Sequence, residues 1–98
     1  MNMQSLMKQV QSMQKQMLDS KSKIEAKTFE GNSELVKVEM NGKREVLSVK
    51  IKAEELSSDD LEILEDMIVI AMNDALRKIE KEINDKLGSQ AGALGGLL

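Results

Sequence analysis

The chain has 98 residues, of which 41% are hydrophobic and 32% charged, a balance that is ordinary for one globular domain. It has no cysteine and no histidine, which excludes disulfides, thiolate chemistry, histidine metal sites and imidazole general bases. Phe29 is the only aromatic residue, so the aromatic platforms on which single-stranded nucleic acids stack are nearly excluded as well.

The formal net charge of −3 is unevenly distributed along the chain. Residues 1–24 carry a net charge of +3, because Asp19 is outnumbered by Lys8, Lys15, Lys21 and Lys23. Residues 53–66 carry a net charge of −7, contributed by Glu54, Glu55, Asp59, Asp60, Glu62, Glu65 and Asp66. The acidic total therefore says little about the N-terminal segment, whose own charge suits a polyanion.

Apolar residues recur in a heptad pattern over the first part of the chain. One position of the repeat holds Met3, Val10, Met17 and Ile24, and the other holds Leu6 and Met13. This spacing predicts one amphipathic helix over residues 1–26 with a narrow apolar seam that packs against another helix. Such a helix is about 35 to 40 Å long. Because that is too long for a compact globule of this size, part of it is expected to project as an arm or to be buried by a second chain.

Residues 27–52 change to a period of two, which predicts a small antiparallel sheet. Residues 35–40 and 47–51 alternate apolar and polar side chains on either side of Asn41-Gly42. A two-residue turn there would pair Val36 with Leu47 and Met40 with Lys43, and would place on one face Val36, Val38, Leu47 and Val49. Residues 27–31 are expected to add a third strand that turns at residues 31–33.

A second helix is predicted over residues 57–87, capped by Ser57 and Asp60 and ended by Gly88. Its second half carries a single apolar stripe that matches the seam of the first helix: Leu76, Ile79, Ile83 and Leu87. Between residues 67 and 72 the apolar side chains cover nearly the whole circumference, so a second copy of the chain is expected to bury the side that the sheet leaves open. The predicted dimer contacts are Met67, Ile68, Val69, Ile70, Ala71 and Met72.

Together these elements predict an α+β protein of order α-β-β-β-α, with a small antiparallel three-stranded sheet flanked by two long helices. The first helix and the distal half of the last pack antiparallel as the arm. Residues 1–87 form a single domain, and residues 88–98, which are uncharged and glycine-rich, are expected to form a flexible tail. No apolar run approaches the roughly 20 residues that cross a bilayer, and no signal-peptide pattern is present, so a cytosolic protein without membrane contact is expected.

Three segments, taken in order, resemble a known family. They are MKQVQSMQKQM at residues 7–17, LVKVEMNGKREVLSVKI at residues 35–51 and LEDMIVIAMNDALRK at residues 64–78. Together they are similar to the bacterial YbaB/EbfC family of nucleoid-associated DNA-binding proteins. The resemblance implies a tweezer-like homodimer without cofactor, whose helical arms bind duplex DNA in the nucleoid, alter its conformation or compaction and thereby affect gene expression. It also implies recombination or replication proteins as partners, because such genes often lie beside those of the family.

The candidate DNA contacts are the basic residues of the two predicted arm helices: Lys8, Lys15, Lys21, Lys23, Arg77, Lys78, Lys81 and Lys86. Lys8 and Lys15 lie opposite the seam among glutamines, where they could reach phosphate oxygens. The residues alone favour an ordinary solvated helix face, and the resemblance is what favours DNA. The candidates on the second predicted helix are weaker, because Asp74 with Lys78 and Glu82 with Lys86 have the spacing of ordinary helical ion pairs.

Other functions fit the residues less well. The acidic segment 54–66 lacks the glycine and the alternating ligands of a calcium loop, and the capped helix start explains most of it. No catalytic arrangement of carboxylates, lysines and serines is recognisable, so an enzyme is not predicted. The main alternative is a coiled-coil adaptor or small chaperone whose arms clasp a protein partner.

Overall fold

The computed structural model describes residues 2–93, and its elements follow the predicted order α-β-β-β-α. The elements are α1 (Met3–Ala26), β1 (Thr28–Asn32), β2 (Val36–Asn41), β3 (Val46–Ile51), a 3₁₀ turn (Ser58–Asp60) and α2 (Leu61–Ala93). The strands form one antiparallel sheet in the order β1-β2-β3. The predicted α+β class and element order are confirmed.

Both long helices begin at polar caps. The Asn2 side-chain oxygen accepts a hydrogen bond from the Ser5 N–H at 2.8 Å, which satisfies one of the unpaired amides at the start of α1. Before α2, the Asp60 carboxylate accepts hydrogen bonds from the Ser57 N–H at 3.0 Å and from the Ser57 hydroxyl at 3.1 Å. The predicted cap at Ser57 is therefore confirmed, although the first turn after it is 3₁₀.

The predicted end of the second helix at Gly88 is wrong. α2 continues to Ala93, so residues 88–93 of the predicted flexible tail are helical. Glycine ends a helix when it adopts the left-handed conformation; inside a helix it costs only about 1 kcal/mol relative to alanine. Residues 94–98 of the predicted tail lie outside the described residues.

The core lies between α2 and the first two strands. Alternate residues of β2 are buried while their neighbours are half-exposed, as the period-two pattern predicts. The fully or almost fully buried side chains on the two sides of this contact are Val36, Val38, Met40, Ala71, Ala75 and Ile79. Of the predicted apolar stripe of α2, Ile79 therefore packs against the sheet, whereas Leu87 packs in the arm.

Gly31 brings the backbone of β1 directly against α2. A Cβ atom at this position would overlap the Ala71 carbonyl oxygen and would lie 2.6 Å from the Ala75 nitrogen. The two alanines on the facing side of the helix are themselves fully buried. Only small residues on both elements permit this close approach.

The β2–β3 hairpin is confirmed, but its predicted register is wrong. Val36 pairs with Ile51 rather than with Leu47, and Val38 pairs with Val49. A bulge leaves Leu47 unpaired, because Ser48 lies opposite Glu39 while Val46 lies opposite Met40. The apolar face shared by the two strands therefore includes Ile51 in place of Leu47.

The side chain of Asn41 causes the longer turn. Its Oδ1 accepts hydrogen bonds from the Lys43 N–H at 2.9 Å and from the Glu45 N–H at 3.1 Å, which spreads the turn over residues 42–45. Gly42 packs on the end of α1, where a Cβ atom would overlap the Ile24 carbonyl oxygen. The turn is thereby fixed to the base of the arm.

Strand β3 is left uncovered by the helices. In the described part of the chain α2 contacts β1 and β2 but not β3. Val49 and Ile51 share the inner face of the sheet with their partners on β2, yet they are 48% and 42% exposed. This strand therefore presents an unburied apolar face beside the helix.

The predicted arm is present. Met17 and Ile24 of α1 are buried in one cluster with Leu87 of α2, and the Lys27 amine lies 3.3 Å from the Glu82 carboxylate at the base of the arm. The chain extends over 71 × 18 × 13 Å, so the two helices project well beyond the sheet.

Candidate nucleic-acid interface

Lys8 and Lys15 lie on the outward face of α1. They are seven residues, or roughly 10 Å, apart on the side of the helix opposite the buried Met17. Both are exposed, and neither forms an ion pair within residues 2–93. Their amines are therefore available to an anionic partner.

One edge of the arm brings lysines from both helices together. Lys23, Lys27 and Lys86 line a shallow groove of about 340 Å³ with Glu82 and Ser20, and we call it the lysine groove. Its one carboxylate, Glu82, pairs with Lys27, which leaves the groove with an excess of positive charge. The predicted candidates Lys23 and Lys86, far apart in sequence, thus belong to one surface.

The opposite edge of the arm holds Lys21 and the β2–β3 turn. Lys21, Lys43 and Arg44 line a second groove of about 360 Å³, together with Glu25, and we call it the turn groove. Lys43 lies 3.9 Å from the Glu25 carboxylate, and both side chains are partly exposed. Lys21 and Lys23, predicted as neighbours in one basic segment, therefore face opposite edges of the arm.

Lys78 and Arg77 are engaged within the chain. The Lys78 amine donates a hydrogen bond to the Glu30 carbonyl oxygen at 2.6 Å and lies 3.4 Å from the Asp74 carboxylate. Arg77 lies 3.6 Å from the same carboxylate. Lys78 therefore fastens α2 to β1, whereas Lys81 is exposed and without an ion pair in the described residues.

Asp74 is the centre of this link. Its carboxylate accepts a hydrogen bond from the Asn32 N–H at 2.9 Å, and this bond, with help from Lys78 and Arg77, lowers the pKa of Asp74 below its ordinary value of 3.8 despite partial burial. The ionised carboxylate therefore stabilises the contact between α2 and the end of β1.

Asp74→Asn is expected to lower the free energy of unfolding by about 1 to 2 kcal/mol at neutral pH. Because folding lowers the pKa, the stabilisation is complete above the unfolded value of 3.8 and disappears as the pH falls through the lower folded value. Urea unfolding at pH 7 and at about pH 3 measures the free energy of unfolding of wild type and variant. The difference between the two proteins should be smaller at the acidic pH. Asp85→Asn, at an exposed position of α2, is the matched control; a gap of equal size at both pH values would contradict the role of the charge.

Lys27, Lys43 and Arg44, which line the two grooves, were not among the predicted contacts. Lys27 follows the last residue of α1, and the other two follow Asn41-Gly42, so each lies outside the predicted helices on which cations were sought. The available signal was the Lys-Arg pair in the hairpin turn, since exposed turn residues often carry function.

Neither a cluster of metal-ligating side chains nor a membrane-spanning helix is found among the described residues. Within residues 2–93 no group of three histidine, cysteine, aspartate or glutamate side chains is arranged to hold a metal ion. In the same range no helix is long and apolar enough to cross a bilayer.

The six predicted dimer residues have different surroundings. Ala71 is fully buried against β1 in its own chain and is not available to a second copy. Met67, Ile68 and Met72 are half-buried against the core. Val69 and Ile70 are 56% and 49% exposed, so the free apolar surface of this segment is centred on these two residues.

These features define a class: a small α-β-β-β-α protein with a projecting helical arm whose edges are rich in cations. Within that class the chain belongs to the YbaB/EbfC DNA-binding family, whose sequence model matches residues 1–94. The family is defined by DNA binding and not by catalysis.

The relatives that the chain matches carry consistent names. It is 49% identical over 90 residues to a nucleoid-associated protein of Lactococcus lactis subsp. lactis, covering 90% of this chain and 91% of that one. It is 49% identical over 96 residues to a nucleoid-associated protein of Lachnoclostridium phytofermentans, covering 96% and 81%. A nucleoid-associated protein of Ligilactobacillus salivarius is 36% identical over 99 residues, covering 99% and 95%. The resemblance found in the three sequence motifs is therefore confirmed over nearly the whole chain.

Proposed function

We propose that this protein is a nucleoid-associated homodimer that binds duplex DNA through backbone contacts from its helical arms. By holding the duplex it alters DNA conformation or compaction, with consequences for gene expression. The observation that carries the proposal is the set of arm lysines that lack a carboxylate partner within residues 2–93, namely Lys8, Lys15, Lys21, Lys23, Lys81 and Lys86. The nucleoid-associated names of the relatives support a nucleoid location in the cytoplasm.

Backbone contacts suit the side chains that the arm offers. Lysine amines and glutamine amides can donate hydrogen bonds to phosphate oxygens whatever the base sequence, and such contacts position a protein on the duplex without reading its bases. The outward face around Lys8 and Lys15 carries Gln4, Gln11 and Ser22. Any preference for particular DNA would then come from the shape or deformability of the duplex.

A second copy of the chain suits the uncovered side of the molecule. Asp74 and Lys78 hold one flank of α2 to β1, so the flank carrying Val69, Met72 and Leu76 faces the other way, toward β3. The exposed inner face of β3 lies on the same side of the molecule, although α2 does not contact it within the described residues. A two-fold dimer that buries this surface would point two arms from one body, as tweezers do.

One observation favours a protein clasp as the second candidate. The seam at the tip of α1 is open: Met3, Leu6 and Val10 are 74%, 46% and 40% exposed, and the neighbouring Met7 is 57% exposed. Flexible methionines on an exposed helix face suit an apolar partner segment. Recombination or replication proteins, implied by the family resemblance, stay a prediction in this role.

Salt dependence separates the two candidates. Lys8→Ala with Lys15→Ala is expected to raise the Kd for a mixed-sequence duplex about ten- to a hundredfold at low salt. The negative slope of log K against log salt concentration should become shallower by up to about 3.6, because a dimer would lose four phosphate contacts at about 0.9 each. Fluorescence anisotropy of a labelled duplex over a salt series measures both quantities.

Gln9→Ala with Gln16→Ala is the matched control, because it changes two exposed residues of the same helix without changing charge. It should bind DNA with nearly the wild-type salt slope. Wild-type protein that fails to bind duplex at low salt, while pull-downs recover a defined protein partner, would overturn DNA binding in favour of the clasp.

A further inference from the structure

We propose that the β2–β3 turn is a second phosphate-binding element, in which Arg44 and Lys43 act with Lys21 to hold the sugar-phosphate backbone of duplex DNA in the turn groove. The inference rests on the proposed DNA-binding function. It extends the interface from the arm helices to the edge of the sheet, at the base of the arm.

Three cations from two separate elements converge on this groove. Lys21 approaches from α1, and Lys43 and Arg44 approach from the hairpin turn. Glu25 is the one carboxylate that lines the groove, and it is paired loosely with Lys43. Lys21 and Arg44 form no ion pair within residues 2–93, so the groove has an unbalanced positive charge that a phosphate can neutralise.

The turn is held in one conformation before any ligand arrives. The Arg44 N–H donates to the Asn41 carbonyl oxygen at 3.0 Å, and the Asn41 side chain donates to the Glu45 carboxylate at 2.8 Å. Gly42 sits against the Ile24 carbonyl oxygen and fixes the turn to α1. Because the backbone is ordered already, binding at Arg44 loses little conformational entropy beyond that of its own side chain.

The conformation of Arg44 is not one that folding favours for arginine. Its φ of 65° makes it the one non-glycine residue of the described chain in the left-handed region. That region costs most residues about 1 to 2 kcal/mol, and glycine or asparagine adopts it more easily. The Arg44 side chain is exposed and forms no ion pair with any of residues 2–93, so no ion pair offsets this cost. A planar guanidinium can donate hydrogen bonds to two phosphate oxygens at once, which gives an arginine at this position a role in binding instead of in folding.

The turn also continues the line of candidate contacts along the arm. Ser22 follows Lys15 by seven residues, as Lys15 follows Lys8, so the three share the outward face of α1. Ser22 and Lys43 line one shallow depression at the base of the arm, which also contains the carboxylates of Glu25 and Glu45. A DNA strand that tracks along Lys8 and Lys15 would therefore reach the turn.

Arg44→Asn tests the proposal, because asparagine removes the charge while suiting the left-handed backbone. It is expected to raise the Kd for a mixed-sequence duplex about five- to twentyfold at low salt. The negative slope of log K against log salt concentration should become shallower by up to about 1.8, because a dimer would lose one contact from each of its two copies. Its melting temperature should equal or exceed that of wild type. Lys21→Gln should also raise the Kd for the duplex. Lys50→Gln is the control, because it removes the same charge from an exposed lysine of β3.

The outcomes distinguish this inference from the proposed function. If Arg44→Asn weakens binding no more than Lys50→Gln, while the Lys8 and Lys15 variant binds poorly, the turn site is overturned and arm binding stands. If wild-type protein does not bind duplex at low salt, both are overturned. A selective loss at Arg44 in a variant that melts no lower than wild type supports the turn site.

Discussion

Gly31→Ala is expected to lower the free energy of unfolding by about 3 kcal/mol or more, a large share of the stability of a domain of this size. The added methyl group would overlap the carbonyl oxygen of Ala71 and lie 2.6 Å from the Ala75 nitrogen. Both are backbone atoms of α2, so no side-chain rotation can relieve the contact, and helix and strand must separate. Urea unfolding followed by circular dichroism measures the loss.

Gly88→Ala is the matched control within α2. A Cβ atom at Gly88 meets nothing within 4 Å, and the residue lies in the helix, where alanine is preferred by about 1 kcal/mol. The same substitution should therefore destabilise at Gly31 and stabilise at Gly88. Equal effects at the two sites would show that β1 and α2 are not packed this closely.

Val49→Glu is expected to dissociate the proposed homodimer, raising its dimer Kd about a hundredfold or more. Val49 lies on the inner face of β3, which α2 does not cover, and it is 48% exposed in a single chain. A dimer that buries this face would enclose two unpaired carboxylates, one from each copy. Sedimentation equilibrium over a concentration series gives the dissociation constant.

Lys50→Glu controls for the introduction of a carboxylate into β3. Lys50 is the next residue of the strand and points to the opposite face, so this change should leave the dimer intact although it alters the net charge more. Dissociation by Lys50→Glu but not by Val49→Glu would place the contact on the other face of the sheet. A wild-type protein that sediments as a monomer would contradict the dimer itself.

The periodicity of the apolar residues was sufficient to predict the helices, the strands and the packing of the arm. The heptad seam of Met17 and Ile24 and the stripe that ends in Leu87 are buried together, because helical spacing alone determines which residues share a face. The cap at Ser57 was predictable for the same reason, since its partner Asp60 lies within one turn. Local patterns carry this information without knowledge of the rest of the fold.

The hairpin register depended on competition between two local structures. Asn41-Gly42 matches a two-residue turn, but the Asn41 side chain instead binds the backbone amides of Lys43 and Glu45 and lengthens the turn. Both structures fit the same residues. The packing of Gly42 against the end of α1 is a tertiary contact that sequence spacing does not contain.

The sequence predicted which residues carry the positive charge of the candidate site, but it did not predict which of them lie on the same surface. Lys21 and Lys23 are close in sequence but lie on opposite edges of the arm, because residues two apart on a helix do not face each other. Lys78 was predicted as a DNA contact, yet its amine is held by the Glu30 carbonyl oxygen of β1. Lys78 pairs with Asp74 as its helical spacing predicts, whereas Glu82 pairs with Lys27 instead of Lys86, so local spacing and tertiary neighbours together decide which cations are free.

The arm also implies an order of events in folding. The whole sheet and the first half of α2 separate Ile24 from Ile83, although both side chains line the turn groove. Closing so long a loop is entropically costly, so the arm is expected to join only after α2 has docked on β1 and β2. Exposure along the seam rises from 7% at Met17 to 74% at Met3, which makes the tip the region that opens most easily. A duplex that binds both Lys8 and Lys15 requires α1 to be helical between them, so DNA would stabilise the part of the fold that frays first.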